Sequence, residues 1–181
     1  MIHFPGCSKL LHSDPKNAEL RKGTWKDLEN LHREGLIKSI GVSNYTQRHL
    51  EELFDYAEIA PVLNQIEIHP LYFDPSLLEF CQKNNIVVQA YSSLGSGKGF
   101  NELNSNKLLQ ELEKKYQRTK PQILLKWALQ HNLCIIPKTC SLNHLRENFQ
   151  LHDFEITKED MTLLDNLNQN HKFCWDSKDI R

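Results

Sequence analysis

An imidazole, amides, hydroxyls, a phenol and an ammonium recur at one kind of place in this 181-residue chain, just beyond a short β-branched run. His3 follows Ile2 in the opening MIHFPG, and Ser43-Asn44 closes IKSIGVSN. Gln65 to His69 lie in VLNQIEIHP. Tyr91-Ser92 and the loop LGSGKG follow NIVVQAY, and Lys138-Thr139 ends LCIIPKT. In α/β folds ligands sit beyond the carboxyl ends of the strands. Donors, acceptors, one aromatic face and one cation therefore converge on one end of a sheet. Loops after the last strands of a barrel commonly hold phosphate through backbone N–H groups and a helix N-terminus. Ser96, Gly97, Lys138 and a helix beginning near Leu142 are suitable parts. The chemistry these residues imply is the binding of an anionic, nucleotide-like ligand.

Each piece also has a simpler use. Taken alone, LGSGKG is a flexible solvated loop, and it fails the G-x-x-x-x-G-K-[ST] phosphate motif in spacing and in its last residue. Gln65 and Glu67 can equally satisfy each other inside a sheet. A lone histidine such as His69 is more often a hydrogen-bonded structural group than a ligand, and Tyr91 alone reads as core. No HExxH or clustered His/Asp set points to a metal.

The elements that must position these residues alternate. Segments 37–44, 62–70, 85–95 and 133–139 read as buried strands, each a β-branched run ending in polar or glycine residues. Between them lie helical patterns. GTWKDLENLHREG has a capping-box-like start, Thr24-x-x-Asp27, and stops at Gly35. TQRHLEELFDYA places Leu50, Leu53, Phe54 and Ala57 on one face. PSLLEFCQKNN starts with Pro75 in its first turn. NKLLQELEKKY and KPQILLKWALQ follow in succession, then LNHLRENF and ITKEDMTLLDNL, the last capped by Thr157-x-x-Asp160. Alternation predicts a parallel sheet with right-handed crossovers. With the opening IHF there are five strands, which an open doubly wound sheet can use. No repeat or linker divides the chain, so residues 1–181 read as one domain, with 169–181 a C-terminal tail.

Composition narrows the classes. Apolar residues at 39% and charged residues at 25% describe a globular protein of ordinary make-up. A formal net charge of −1, with no basic run, gives no field for nucleic acid or acidic lipid. No apolar stretch approaches the roughly 20 residues of a membrane span. The start lacks a secretory signal pattern. Five cysteines, odd in number and without CxxC spacing, suggest reduced thiols in a cytoplasmic protein.

Taken together, IHFPG, GTWKDLENLHREGLIKSIGVSNY, NQIEIHP, QAYSSLGSG, IIPKT and RENFQ resemble, in order, the C-terminal half of the aldo-keto reductases. The resemblance implies an α/β fold, a partial (β/α)8 TIM barrel made of strands four to eight with their helices plus extra C-terminal helices. It implies an NADP-dependent reductase that turns a carbonyl or aldehyde into an alcohol by hydride transfer, with NAD the less favoured cofactor. His3 resembles the active-site histidine that polarises the substrate carbonyl. Phe4 takes the place of an aromatic pocket wall. Ser43, Asn44 and Gln65 resemble the side chains that hold the nicotinamide carboxamide, and Tyr91 the ring stacked under it. Ser92, Leu94 and Ser96 resemble the loop crossing the pyrophosphate. Lys138, Thr139 and Cys140 resemble the cradle of the 2′-phosphate, with Glu147 and Asn148 near the adenine. Phe173 and Trp175 in the tail offer pocket walls, although anchoring of the tail is the favoured use.

Two departures stand out. An arginine is usual six residues after the lysine, where this chain has His144, with Arg146 two further on. Histidine lacks the bidentate fork and the permanent charge of arginine. NADPH binding is then expected to weaken as pH rises through the His144 titration. The family's proton-donating tyrosine, with its aspartate and lysine, lies on strands before the histidine strand. Tyr45, Tyr56, Tyr72, Tyr91 and Tyr116 all fall outside that motif. MIHFPG thus reads as the middle of a longer protein, beginning inside the fourth strand. A chain with the cofactor side but no general acid, worth typically 10²–10⁴-fold, should turn over feebly. Open barrel edges and exposed inward residues such as Val42, Ile66 and Val88 predict aggregation or self-association. The alternatives to a working reductase are a catalytically inert half barrel that binds nucleotide or a partner, and a structural remnant without a role.

Overall fold

The computed structural model describes residues 1–181, apart from the Lys98 side chain. Elements follow the order α1 (Lys16–Arg33), β1 (Val42–Ser43), α2 (Gln47–Phe54), β2 (Leu63–Glu67), α3 (Pro75–Lys83), β3 (Val87–Tyr91), α4 (Lys98–Ser105), α5 (Lys107–Tyr116), α6 (Lys120–Gln130), β4 (Cys134–Ile135), α7 (Leu142–Phe149) and α8 (Lys158–Asp165). The strands form one sheet in the order β1-β2-β3-β4. Registers are parallel, with Val42 opposite Asn64 and Gln89 opposite Cys134. The opening IHF contributes one parallel bridge, Ile2 to Val42. This is the α/β architecture with a parallel sheet that the alternation predicts.

Local chemistry sets most boundaries. Thr46 and His49 form a capping box at α2, and Thr119 and Gln122 another at α6. Asp74 caps α3 ahead of Pro75, Asn106 caps α5, and Thr157 caps α8 by accepting the Asp160 N–H. Gly35, at φ +75°, lies just past the end of α1.

Three expectations are corrected. Helix α1 begins eight residues before Thr24, whose hydroxyl donates to the Leu20 carbonyl within the helix instead of capping it. Its buried face is Asn17, Arg21, Trp25 and Glu29, a four-residue spacing of mostly polar groups that an apolar periodicity does not reveal. The loop LGSGKG does not stay a loop. Gly95, at φ +77°, turns the chain where a side chain would lie 2.3 Å from the Gly99 backbone, and α4 starts at Lys98. Finally, Val42, Ile66 and Val88 are buried, at 0%, 9% and 6% exposure, while Val87 and Ile136 are 47% and 43% exposed. In β3 the side chains alternate between faces, with Val88 on the buried face and its neighbour Val87 on the exposed one.

The chain divides into two compact units, Met1–Ile66 with Asp74–Val88 and Trp175–Arg181, and Glu67–Phe73 with Gln89–Cys174. The first is built on Trp25, Ile40, Val42, Tyr45, Leu50, Leu53 and Cys81. Arg21, 3% exposed, grips both oxygens of Glu52 at 3.2 and 2.6 Å and donates to the Pro5 carbonyl at 2.8 Å. Glu29 accepts the N–H groups of Glu58 and Ile59, both at 2.8 Å. The second is built on Ile68, Phe73, Leu103, Leu109, Ile123 to Leu125, Trp127 and Leu164. There Asp165 accepts from Trp127 Nε1 at 2.7 Å and lies 2.8 Å from His131 Nε2. Residues of the expected tail fall in both units.

Candidate active site

In the first unit, residues far apart in sequence, from Ile2 to Ser177, meet at the end of β1. Ile2 N–H donates to the Gly41 carbonyl at 3.0 Å, which brings His3 alongside Asn44. Asn44 is 4% exposed with φ +61°, the left-handed region that asparagine tolerates better than most residues. Its N–H donates to the Gln65 carbonyl at 2.9 Å. Its side-chain Nδ2 donates to the His3 carbonyl at 3.0 Å and to Ser43 Oγ at 3.1 Å. Ser43 Oγ in turn donates to the Gln65 carbonyl at 2.8 Å. The His3 side is exposed, and its ring centroid lies 6.2 Å from that of Trp175. Phe4 meets the same indole edge-on at 6.3 Å. Six predicted residues, His3, Phe4, Ser43, Asn44, Gln65 and Trp175, thus belong to this unit. Trp175 is 69% exposed, which suits a wall more than a core anchor.

In the second unit, Tyr91 and Ser92 close β3. Burial, then the charge of Glu67, push the Tyr91 phenol above its ordinary range, so it stays a neutral ring. Ser92, at φ +53°, places its hydroxyl 3.5 Å from Cys174 Sγ. Glu67 is 1% exposed and accepts from the N–H groups of Phe173 at 2.7 Å and Cys174 at 3.1 Å, with His69 Nε2 at 3.2 Å. Burial pushes the Glu67 carboxyl up, but the hydrogen bonds from His69, Phe173 and Cys174 outweigh it and hold the group ionised below its ordinary range. His69 is therefore a structural partner of a buried carboxylate. Phe173 is the tail's anchor: its ring lies 4.9 Å from His69 and fills the space where a side chain at Gly99 would stand. Leu94 is half-buried and Ser96 exposed.

The remaining predicted residues run from β4 into α7 in the same unit. Lys138, Cys140 and His144 are exposed, and Thr139, Glu147 and Asn148 half-buried. Thr139 Oγ1 accepts the Ser141 N–H at 3.0 Å, and Ser141 caps α7. Lys138 and Asn148 share a cavity of about 570 Å³ with Leu129, Ile135, Leu145 and Phe149. Thr139, Cys140, His144 and Glu147 are not among its lining residues. Residue types missed two participants. In sequence Glu67 offers itself only as a partner of Gln65, and nothing marks Ser177, whose hydroxyl donates to the Asn44 carbonyl at 2.6 Å. All five cysteines are free thiols, and no helix among the described residues is long and apolar enough to cross a membrane.

The sequence and the fold are also similar to those of known proteins. The 9,11-endoperoxide prostaglandin H2 reductase of Trypanosoma cruzi is 38% identical over 97% of this chain and 58% of its own length. The glyoxal reductase of Bacillus subtilis is 37% identical over 95% of this chain and 57% of its own. The chain thus spans somewhat more than half the length of these relatives. Among solved structures, an aldo-keto reductase from a Medee basin deep-sea metagenome library superposes with a TM-score of 0.86 at 32% identity, covering 91% of this chain and 61% of that one. Such neighbours are TIM barrels, and the model of the aldo/keto reductase family matches residues 2–169, nearly the whole chain. The chain belongs to the aldo/keto reductase family.

Proposed function

We propose that these 181 residues supply the cofactor-holding side and the carbonyl-polarising histidine of an NADP-dependent reductase, as strands four to eight of a barrel. The observation that carries this reading is the meeting of His3, Ser43, Asn44 and Trp175 in one unit, with the His3 side exposed beside an exposed aromatic wall. His3 then donates a hydrogen bond to the substrate carbonyl oxygen and fixes its orientation. Ser43, Asn44 and Gln65 hold the carboxamide edge of the nicotinamide, and the neutral face of Tyr91 covers its ring. Ser92, Leu94 and Ser96 carry the pyrophosphate.

The donor set fits the dinucleotide. Lys138 offers an exposed ammonium at the rim of an apolar cavity, with Asn148 as a polar reader beside it. Thr139, Cys140 and His144 complete the 2′-phosphate cradle, and Glu147 the adenine side. Lys138 with His144 favours NADP over NAD, less strongly than a lysine–arginine pair would. When bound, the reduced cofactor supplies the hydride.

A second reading rests on the tyrosines. Burial, first of all, pushes the phenols of Tyr45 and Tyr56 up, the latter to about 12, and Tyr116 hydrogen-bonds to Asp160. These are structural groups and not proton donors to a carbonyl beside His3. Alone, the 181 residues then bind nucleotide with little turnover. The half-exposed Val87 and Ile136 favour association with a further barrel segment or a second copy. The proposed setting is the reducing cytoplasm.

The test is a fluorescence titration of the purified chain with NADPH and NADH, beside NADPH oxidation with glyoxal, the compound named for the Bacillus relative. The expected result is NADPH binding, tighter than NADH, with feeble turnover that His3→Ala abolishes without loss of binding. Failure to bind either nucleotide refutes the reading.

A further inference from the structure

The last seven residues, WDSKDIR, do not fray. Ile180 is 1% exposed, and its side chain occupies the space where a side chain at Gly6 would stand, 2.8 Å from a Cβ there. Its carbonyl accepts from Arg48 and lies 2.9 Å from His49 Nε2. Arg21 donates to the Arg181 carbonyl at 2.9 Å, and Arg181 N–H to the His12 carbonyl at 2.8 Å. Within this fixed segment Ser177 is 3% exposed, and its hydroxyl donates to the Asn44 carbonyl.

That contact bears on the site. Asn44 sits at φ +61°, a left-handed conformation that asparagine tolerates at some cost and that surrounding contacts help to hold. Here its N–H, its side-chain amide and its carbonyl are all engaged, toward Gln65, toward His3 and Ser43, and toward Ser177. The carbonyl contact comes from outside the strand ends, from the C-terminal segment, and it holds the peptide plane that follows Asn44. Release of that plane would let Asn44 leave φ +61°, and a change in φ carries its Cβ and side-chain amide away from the His3 carbonyl. We propose that Ser177 is a positioning residue: acting through Asn44, it sets the Asn44 amide, the Ser43 hydroxyl and the His3 main chain for the nicotinamide and the carbonyl. The proposal rests on the roles proposed above for Asn44 and His3.

The test compares Ser177→Ala, Ser177→Thr and a control, Arg48→Met, which loosens the same segment at its other end. Three readouts are needed: NADPH affinity by fluorescence titration, the thermal midpoint, and the side-chain amide signals of Asn44 in nitrogen–proton NMR spectra without nucleotide. Ser177→Ala is expected to shift the Asn44 amide signals and to weaken NADPH binding roughly tenfold, about the worth of one buried hydrogen bond. Ser177→Thr is expected to restore both, and Arg48→Met to lower the midpoint with affinity within twofold, roughly the scatter of one weak contact. If Ser177→Ala does not fold, Ser177→Cys, a weaker donor of similar size, replaces it. Unmoved amide signals, or an equal loss of affinity in Arg48→Met, overturn the proposal. If the unaltered chain binds no NADPH, the roles of Asn44 and His3 fail, and the amide signals alone decide whether Ser177 sets Asn44.

Discussion

His49 gives the sharpest quantitative expectation. Its ring is fully buried, with Nδ1 accepting the Thr46 N–H at 3.2 Å and Nε2 2.9 Å from the Ile180 carbonyl. One nitrogen must accept and the other donate, so only the neutral tautomer with hydrogen on Nε2 satisfies both. Burial is the main cause that pushes its pKa from 6.5 down to about 4. Arg21 and Arg48 add to the shift, while the Ile180 hydrogen bond and Glu52 oppose it. The Tyr45 ring, 5.6 Å away, closes another side. The unfolded chain takes up the proton first, so stability falls with pH between the two values. The contribution is whole above about pH 6.5, falls by about 1.4 kcal/mol per pH unit inside the window, and is gone below about pH 4. In total it is about 3 kcal/mol, of which about 2 kcal/mol is lost by pH 5. The assay is urea unfolding of the unaltered chain and of His49→Gln at pH 7.5, 6 and 5, taking the difference so that carboxylate titrations cancel. The stability gap between the two should shrink by about 2 kcal/mol from pH 7.5 to pH 5. A gap that stays constant over that range refutes the assignment of a neutral, doubly bonded His49.

Two further expectations concern the second unit. Glu67→Gln removes the charge that holds the Phe173 and Cys174 N–H groups, and should cost roughly 2–3 kcal/mol and speed the reaction of the Cys174 thiol with a disulfide reagent; an unchanged rate would count against the clamp. Because the Glu67 carboxyl is held below its ordinary range, its contribution is present above that range and is lost as pH falls through the lower folded value. Gly99→Ala places a carbon 2.3 Å from the Phe173 ring, and should destabilise by about 1–3 kcal/mol. Added to Phe173→Ala it should cost almost nothing more, which a double-mutant cycle by thermal melting measures.

What the sequence discloses and what it hides divide along a physical line. Strands, the Thr157 cap of α8 and the strand-end polar residues are legible because each depends on a side chain whose type is its function: a β-branched run, a Thr three residues before Asp160, an amide after GVS. The start of α1 was not, because its buried stripe is Asn17, Arg21 and Glu29 around a single Trp25, and such groups look like surface until their partners are known. Apart from the Glu52 carboxylate on Arg21, those partners are main-chain oxygens and N–H groups: Arg21 on Pro5 and Arg181, Glu29 on Glu58 and Ile59, and likewise Arg48 and His49 on Ile180. Every residue carries the same backbone groups, so the receiving segment has no reason to show a characteristic residue. The C-terminal segment is thus invisible as a partner of Asn44 although it packs against it. The same holds for Glu67, whose acceptor role toward Phe173 and Cys174 leaves no mark on either residue's type. The side chains proposed to meet ligands are readable in order along the chain. The backbone contacts that hold those side chains still become visible only in three dimensions, and Ser177 is where the two kinds of residue join.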